Sequence, residues 1–444
     1  MTRSMPPASR SRRAVLRGLG LAAVAPLAGR AAQGAVPAPD ALAPAAPAGA
    51  APDASVTAAP RACAVKAAER IAPFGIHQAG ITTPRPAHGL LASFAVIAQS
   101  PADLEDVLRR LSARIVFLAA GGPVPVLDPR FPPADSGLLG PVIEPDALTI
   151  TVALGDQLFQ RHDWLRPHRP VRLVRMTAFP NDALNASLCH GDLSLQICAN
   201  SSDACVHALR DVVKTLSDRL VLGWMQAGSV PQVTATEPGR LPNARNFLGF
   251  RDGSANPDAA DHGLMDRIVW AGAGEPDWAQ GGSYQAVRII RNFVERWDRT
   301  PLAEQERVFG RSKITGAPLD RPDGTEFDTP DYAADPDGRH TPLRAHIRLA
   351  NPRGPGADAH LILRRPFNYT NGVTRNGQID QGLLFICYQA DLQKGFIHVQ
   401  NALNGEPMEE YVKPVGGGYF FVLPGMADDD DYLGRKLIAS LSRP

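Results

Sequence analysis

Cysteine is scarce: the chain has five in 444 residues, an odd number, with no C-x-x-C pair. That scarcity argues against a disulfide framework and leaves most of them as small buried hydrophobes, Cys387 inside the apolar run GLLFICYQ above all. Cys189, His190, Cys198, Cys205 and His207 lie close in sequence. They fall along a strand and then a helix, whereas tetrahedral zinc sites pair their ligands across tight turns. No G-x-S-x-G nucleophile elbow occurs, and no Ser/His/Asp set supports a hydrolase. Basic excess is also missing. The net charge is +1, but residues 1–35 hold six arginines and no acid, so the remainder carries −5 and a nucleic-acid partner is disfavoured.

What is present at the N-terminus has the order of an export signal. A basic start, SRSRRAVLRGLG, runs into LGLAAVAPLAG, an apolar stretch of roughly a dozen residues, too short to span a bilayer. Arg12 and Arg13, followed by Val15 and Leu16, resemble the twin-arginine pattern, whose route carries proteins already folded, as a cofactor inserted in the cytoplasm requires. The alternative is an uncleaved membrane anchor, although Ala28, Gly29 and Ala31 offer a cleavage region. The expected location is periplasmic or otherwise outside the cytoplasm. Residues 36–61 are mostly Ala and Pro and are expected to form a flexible tether, with folded structure starting near Cys63.

Beyond the tether, strand-like and helix-like segments alternate. LLASFAVIA reads as a strand, and SPADLEDVLRRLSARI follows with Ser100 as N-cap, Pro101 at the first helical position and Asp103 closing a capping box. ALTITVALG and LSLQICA read as strands. SSDACVHALRDVVKTLSDRLVL reads as a helix with Val206, Leu209, Val213, Leu216 and Leu220 on one face. A similar order recurs after about residue 235: strand YQAVRIIRNF, helix TPLAEQERVFG, strand GLLFICYQ, helix DLQKGFIHVQNAL, strand GYFFVLP. Two α+β halves are expected, residues 62–235 and 236–444, each with antiparallel strands covered by helices on one face. The Asp-, Pro- and Gly-rich stretch from 310 to 340 is expected to be a surface loop.

Three stretches carry chemistry-bearing residues. In NFLGFRDGSANP, Asp252 sits between Gly249 and Gly253, a pattern that also suits an ordinary turn. PLRAHIRLANPR reads as a short helix stopped by Asn351 and Pro352, with Leu343, His346, Ile347 and Ala350 on one face and Arg344 and Arg348 on the other. His346 is then either a hydrogen-bonded core residue or a ligand. In HLILRRPFNYTNG a strand runs into Arg364 and Arg365, so one of the two turns inward, either to a buried ion pair or to a site. Together, an inward imidazole, an arginine and a carboxylate in an apolar pocket match the needs of a haem peroxidase: an axial ligand, and a base and a cation to split peroxide.

The motifs GFRDG, HIRLANPR, LILRR, GLLFICYQ and PFGIHQAGITTP, several of them in the expected order over residues 70–440, resemble the dye-decolorizing peroxidase family. They are most similar to its exported branch, linked to bacterial iron uptake and proposed to remove iron from haem. The resemblance implies a duplicated ferredoxin-like fold with haem b in the C-terminal half, hydrogen peroxide and organic donors as reactants, iron-uptake components as possible partners, and a homo-oligomer. It implies His346 as axial iron ligand, Asp252 as distal base, Arg364 as the cation that steadies developing charge, and Arg353 as partner of a haem propionate. Glu410 is the first choice for the carboxylate behind His346 and Asp380 the fallback; Leu383 and Phe385 wall the pocket. Where other branches carry an Asn two residues after the distal arginine, this chain has Pro366. The glycines around Asp252 are expected to let backbone pass close to a flat cofactor. Trp270, Trp278, Trp297 and Tyr388 are candidate electron relays, although Trp and Tyr are far more often core residues. Iron delivery with incidental peroxidase activity is the rival reading. Use of a carboxylate rather than an imidazole as base predicts that dye oxidation is fastest in mildly acidic solution; a pH profile with its maximum above about 8 would remove Asp252 from that role.

Overall fold

A computed structural model of the chain describes residues 69–231, 233 and 242–441. The expected signal (1–35), the Ala/Pro tether (36–61) and Cys63 lie outside the described residues. Apolar runs bounded by turns form β1 (His88–Val96), β2 (Thr149–Gly155), β3 (Leu193–Ala199) and β4 (Leu220–Ser229), then β5 (Ser283–Asn292), β6 (Leu363–Arg364), β7 (Phe367–Val373), β8 (Ile379–Gln389) and β9 (Val412–Val422). One half runs in space β2-β3-β1-β4 and the other β7-β8-β5-β9, the same order and antiparallel throughout. This is a duplicated ferredoxin-like α+β fold. One copy falls within 62–235 and the other within 236–444. β9 pairs with β2, β4 meets β7 at Ser229 and Asn368, and β8 also pairs with β5, so eight strands close into a ring. Closure leaves fewer strand edges open to other chains.

The longest helix, α1 (Pro101–Ala120), starts as its sequence requires: Ser100 accepts the N–H of Asp103, and the Asp103 carboxylate returns the contact to the Ser100 N–H. Its Leu104, Val107, Leu108 and Leu111 are fully buried against the sheet. The helix after β3, α2 (Ser202–Thr215), is shorter than its periodicity suggests. Leu220 belongs to β4, paired with Val96. The buried face is also shifted, since Val206 is exposed while Cys205, Ala208, Leu209 and Val212 are buried. Apolar spacing at a helix end and at a strand start looks alike, and strand pairing decided between them.

The seam between halves is made by an aromatic ring over two glycines. Gly89 and Gly228 are register partners on β1 and β4. A Cβ on Gly89 falls 2.4 Å from the Phe367 ring, and one on Gly228 falls 2.7 Å from the Asn368 carbonyl. Phe367 itself is fully buried. Gly89→Ala is therefore expected to cost about 1–3 kcal/mol through overpacking, read as a lowered thermal midpoint, and Phe367→Leu in the same chain should recover part of it.

Candidate active site

The turn carrying Asp252 is built by its neighbours. Asn246 N–H bonds the Phe250 carbonyl at 2.9 Å and Gly249 N–H returns to the Asn246 carbonyl at 2.9 Å, with Gly249 at φ +87°. Phe250 is then driven inward, stacked on Phe309 at 4.2 Å and edge-on to Trp297 at 5.9 Å. The next residue, Arg251, donates to the Asn243 carbonyl at 2.7 Å. Asp252 follows and faces a cavity. The flanking glycines are also required by their neighbours: a Cβ on Gly249 falls 2.5 Å from the Lys313 side chain, and one on Gly253 (φ +134°) falls 2.4 Å from Asn243 Oδ1. The close approach is to the protein's own side chains.

The 310–340 stretch, expected to be a surface loop, instead supports this turn. Buried Glu326 accepts the Asn243 N–H, the Asn243 amide and the Ser254 hydroxyl at 2.8–3.0 Å. Asp335, also buried, receives Arg348 at 3.3 Å. Arg348 is the outer face of α4 (His346–Ala350), so this ion pair sets the helix that carries His346. The preceding helix, α3 (Leu302–Phe309), stops at Gly310 in a left-handed conformation, where a Cβ falls 2.6 Å from Ile347. Its last residue, Phe309, lies 5.7 Å from the His346 ring. The face predicted for this segment is largely right, except that Leu343 is exposed and outside the cavity wall.

The cavity is open at its mouth and holds about 1800 Å³ of empty space counted out into solvent. Asp252, His346, Arg353, Arg364, Leu383 and Phe385 all line it. Leu383 and Phe385 alternate along β8 with Leu384 and Ile386, which are fully buried on its other face. The Arg364 guanidinium meets Asp252 Oδ1 at 2.9 Å. Arg365 turns the opposite way, donating to the Thr83 carbonyl at 2.6 Å and the Pro84 carbonyl at 3.2 Å. Strand alternation thus separates the two arginines as anticipated.

The carboxylate behind His346 is Glu406, at 2.8 Å (Oε2) and 3.0 Å (Oε1) from Nδ1. Neither expected partner is there. Glu410 is exposed and offers only its carbonyl, to Arg296, while Asp380 lies 3.8 Å from Arg291. A 3-10 turn (Pro407–Glu410) explains the choice: Glu406 precedes it in extended conformation and is buried, while the turn carries Glu409 back to the Gly405 N–H and Glu410 to solvent. With Nδ1–H donated to Glu406, Nε2 is the ring nitrogen available as a ligand. Burial acts most strongly on this imidazole and disfavours its charge. The Glu406 charge and hydrogen bond together outweigh it, so its pKa lies above 6.5.

One corner of the cavity suits an anion. Arg311 is buried and its guanidinium donates to the Gly316 and Glu326 carbonyls at 2.8 and 3.0 Å. Tyr332 Oη is buried with no hydrogen-bond partner among the described residues, and burial pushes its pKa up to about 12, so it stays a donor. Arg353 adds a third donor group from the exposed rim, at φ +55°. The residues fit haem: one ligating nitrogen, apolar walls, and an orphaned hydroxyl beside two guanidiniums for a propionate. Glu406, Arg311 and Tyr332 were missed in the sequence. Glu406 was hidden among three nearby glutamates, and the other two lay in the supposed loop. Of the candidate relays, Trp297 connects to the cavity wall through Phe250 and Phe309. Trp270 stacks on His77, and Tyr388 donates to Gln196.

Comparisons with known proteins show the family. Residues 78–229 match the model of the Dyp-type peroxidase N-terminal region, and 243–427 that of the C-terminal region. A deferrochelatase of Escherichia coli O157:H7 is 53% identical over 368 residues, covering 82% of this chain and 86% of that protein; the one from Escherichia coli K12 is 52% identical with the same coverage. Among solved structures, ferric DtpA from Streptomyces lividans has a TM-score of 0.75 at 33% identity, covering 84% of this chain and 98% of its own. A DyP-type peroxidase from Cellulomonas bogoriensis has 0.74 at 32%, covering 84% and 99%.

A raised folded-state pKa means that the His346–Glu406 pair stabilises the haem-free protein fully below about 6.5 and loses that contribution as pH rises through the folded value. Following the His346 ring proton by NMR in haem-free protein should give a midpoint above 6.5, and Glu406→Gln should lower it because burial is then unopposed. An unchanged midpoint in that variant would separate the two groups.

Proposed function

We propose a function from one premise: the chain belongs to the Dyp-type peroxidase family. It is a haem enzyme that uses hydrogen peroxide to oxidise organic donors. The observation that carries the assignment of residues is a pair of pairs in one cavity: Arg364 and Asp252 at 2.9 Å, and Glu406 and His346 at 2.8 Å.

The haem is iron protoporphyrin IX. When bound, it supplies the iron at which peroxide is reduced. His346 would hold the iron through Nε2, and its hydrogen bond to Glu406 would make that nitrogen a stronger donor. Arg311 and Tyr332, with Arg353 at the rim, receive the propionates. Asp252 has Oδ1 engaged by Arg364, which would leave Oδ2 to take a proton from one oxygen of a peroxide and return it to the other. Arg364 cannot lose its own proton and steadies the negative charge that develops on the departing oxygen. Leu383 and Phe385 give the cavity part of its apolar wall. With Pro366 at the position where an amide occurs elsewhere in the family, no side-chain donor arises there.

A second role is favoured by the identity to deferrochelatases: release of iron from haem for an uptake system. It would use the same cavity and the same histidine, His346. We place the mature protein outside the cytoplasm, exported folded by the twin-arginine route, on the strength of Arg12, Arg13 and the apolar run after them. Assembly into homo-oligomers is part of the same proposal.

The optical spectrum tests the axial ligand. His346→Ala is expected to abolish the wild-type iron coordination spectrum, and its persistence would refute the assignment. In the wild type, incubation of the haem-loaded protein with peroxide and a dye should oxidise the dye with haem intact. Accumulation of iron-free porphyrin instead would make iron release the main activity.

A further inference from the structure

We propose that Asn256 is a positioning residue for the distal pair: its side-chain amide stands in for the neighbouring strand that Arg364 lacks, and so fixes the guanidinium against Asp252. The proposal rests on the peroxidase reading above and adds to it a residue outside the cavity wall.

The argument starts from the backbone of Arg364. β6 is the last strand of its sheet, paired on one side only, with Cys387 and Tyr388 of β8. On that side the Arg365 N–H bonds the Ile386 carbonyl at 2.8 Å. The Arg364 N–H and carbonyl point the other way, where no strand pairs with β6 among the described residues. Unpaired main-chain groups here would be costly and, more to the point, free to shift.

Asn256 meets both. Its Oδ1 accepts the Arg364 N–H at 2.8 Å, and its Nδ2 donates to the Arg364 carbonyl at 3.0 Å. A carboxamide is the side chain that presents one acceptor and one donor with the spacing of a peptide group, and this two-point contact reproduces a rung of antiparallel pairing.

The same residue is rigidly tied to Asp252. The Asn256 N–H closes a tight turn onto the Gly253 carbonyl at 2.8 Å. Pro257 restricts Asn256 to extended conformations. Ser254, within the turn, is held by buried Glu326 at 2.8 Å. Asp252 and Asn256 therefore move as one unit, and that unit grips Arg364 twice: Asp252 by the guanidinium and Asn256 by the backbone. Asn256 is half-buried and is not part of the cavity wall, so it acts through Arg364 rather than on the substrate. A displacement of about 1 Å at a reacting group costs on the order of a hundredfold in rate, which sets the scale of what this clamp contributes.

The test uses the full-length, haem-loaded chain and a double-mutant cycle. Stopped-flow mixing with hydrogen peroxide, without donor, should show Asn256→Ala reacting about ten- to a hundredfold more slowly than wild type. Asn256→Asp, which keeps the acceptor and removes the donor, should be slowed as well. In an Arg364→Ala background, Asn256→Ala should add no further loss, because the clamp then has no guanidinium to position. Hydrogen exchange at the 362–366 segment should be faster in Asn256→Ala, a readout independent of turnover. Wild-type rates in Asn256→Ala, an equal loss in both backgrounds, or unchanged exchange would each overturn the proposal. A wild type inert to peroxide would instead sink the peroxidase reading, and the exchange measurement would still report on the clamp.

Discussion

The ion pair between Asp252 and Arg364 joins two segments 112 residues apart, and much of the C-terminal half is arranged to hold it. An ion pair on an otherwise apolar wall is not self-supporting, since desolvation offsets much of the attraction. Geometry has to be imposed from outside. Phe250 anchors one side of the turn in the aromatic cluster with Trp297 and Phe309, and Glu326 ties down the other. Arg364 is held through β8 on one edge and Asn256 on the other. The result is a preorganised pair of opposite charges that needs no rearrangement to receive a proton or stabilise an anion.

Duplication explains where the cavity lies. Both halves have the same strand order, yet they fill the space over their sheets differently. In the first half the twenty-residue helix α1 follows β1 directly and packs a continuous apolar stripe against the strands. In the second half the chain between β5 and β7 is long and broken into short helices, α3 of eight residues and α4 of five. Short helices cannot cover a sheet. They present Phe309, His346 and Ile347 around an opening instead. One copy of the fold keeps the core closed, and the other gives up packing to leave an open cavity.

Charge is distributed in the cavity with the same economy. Glu406 sits behind His346, and Arg364 and Asp252 balance each other. Arg311 and Arg353 have no carboxylate hydrogen-bonded to them among the described residues, and Tyr332 adds a donor with nothing to receive it. A buried hydroxyl without an acceptor is costly, and an anionic group beside these guanidiniums would relieve it.

Local sequence was enough for the elements with strong patterns and for the residues whose chemistry is unusual where they stand. The capping box at Ser100 and Asp103 depends only on atoms within one turn, and the alternation that sends Arg364 and Arg365 to opposite faces depends only on the strand repeat. Asp252, His346 and Arg364 stood out for the same reason, each being a charged or titratable group in an apolar stretch. Where helix α2 gives way to β4 was decided by pairing with β1, because apolar spacing is similar on both sides of that boundary. The choice of Glu406 over Glu410 and Asp380, the burial of Glu326 and Asp335 in a polar stretch, and the grip of Asn256 on Arg364 all require groups far apart in the chain to meet. Such meetings are set by packing and strand register, which no local pattern encodes, and only the tertiary structure determined them.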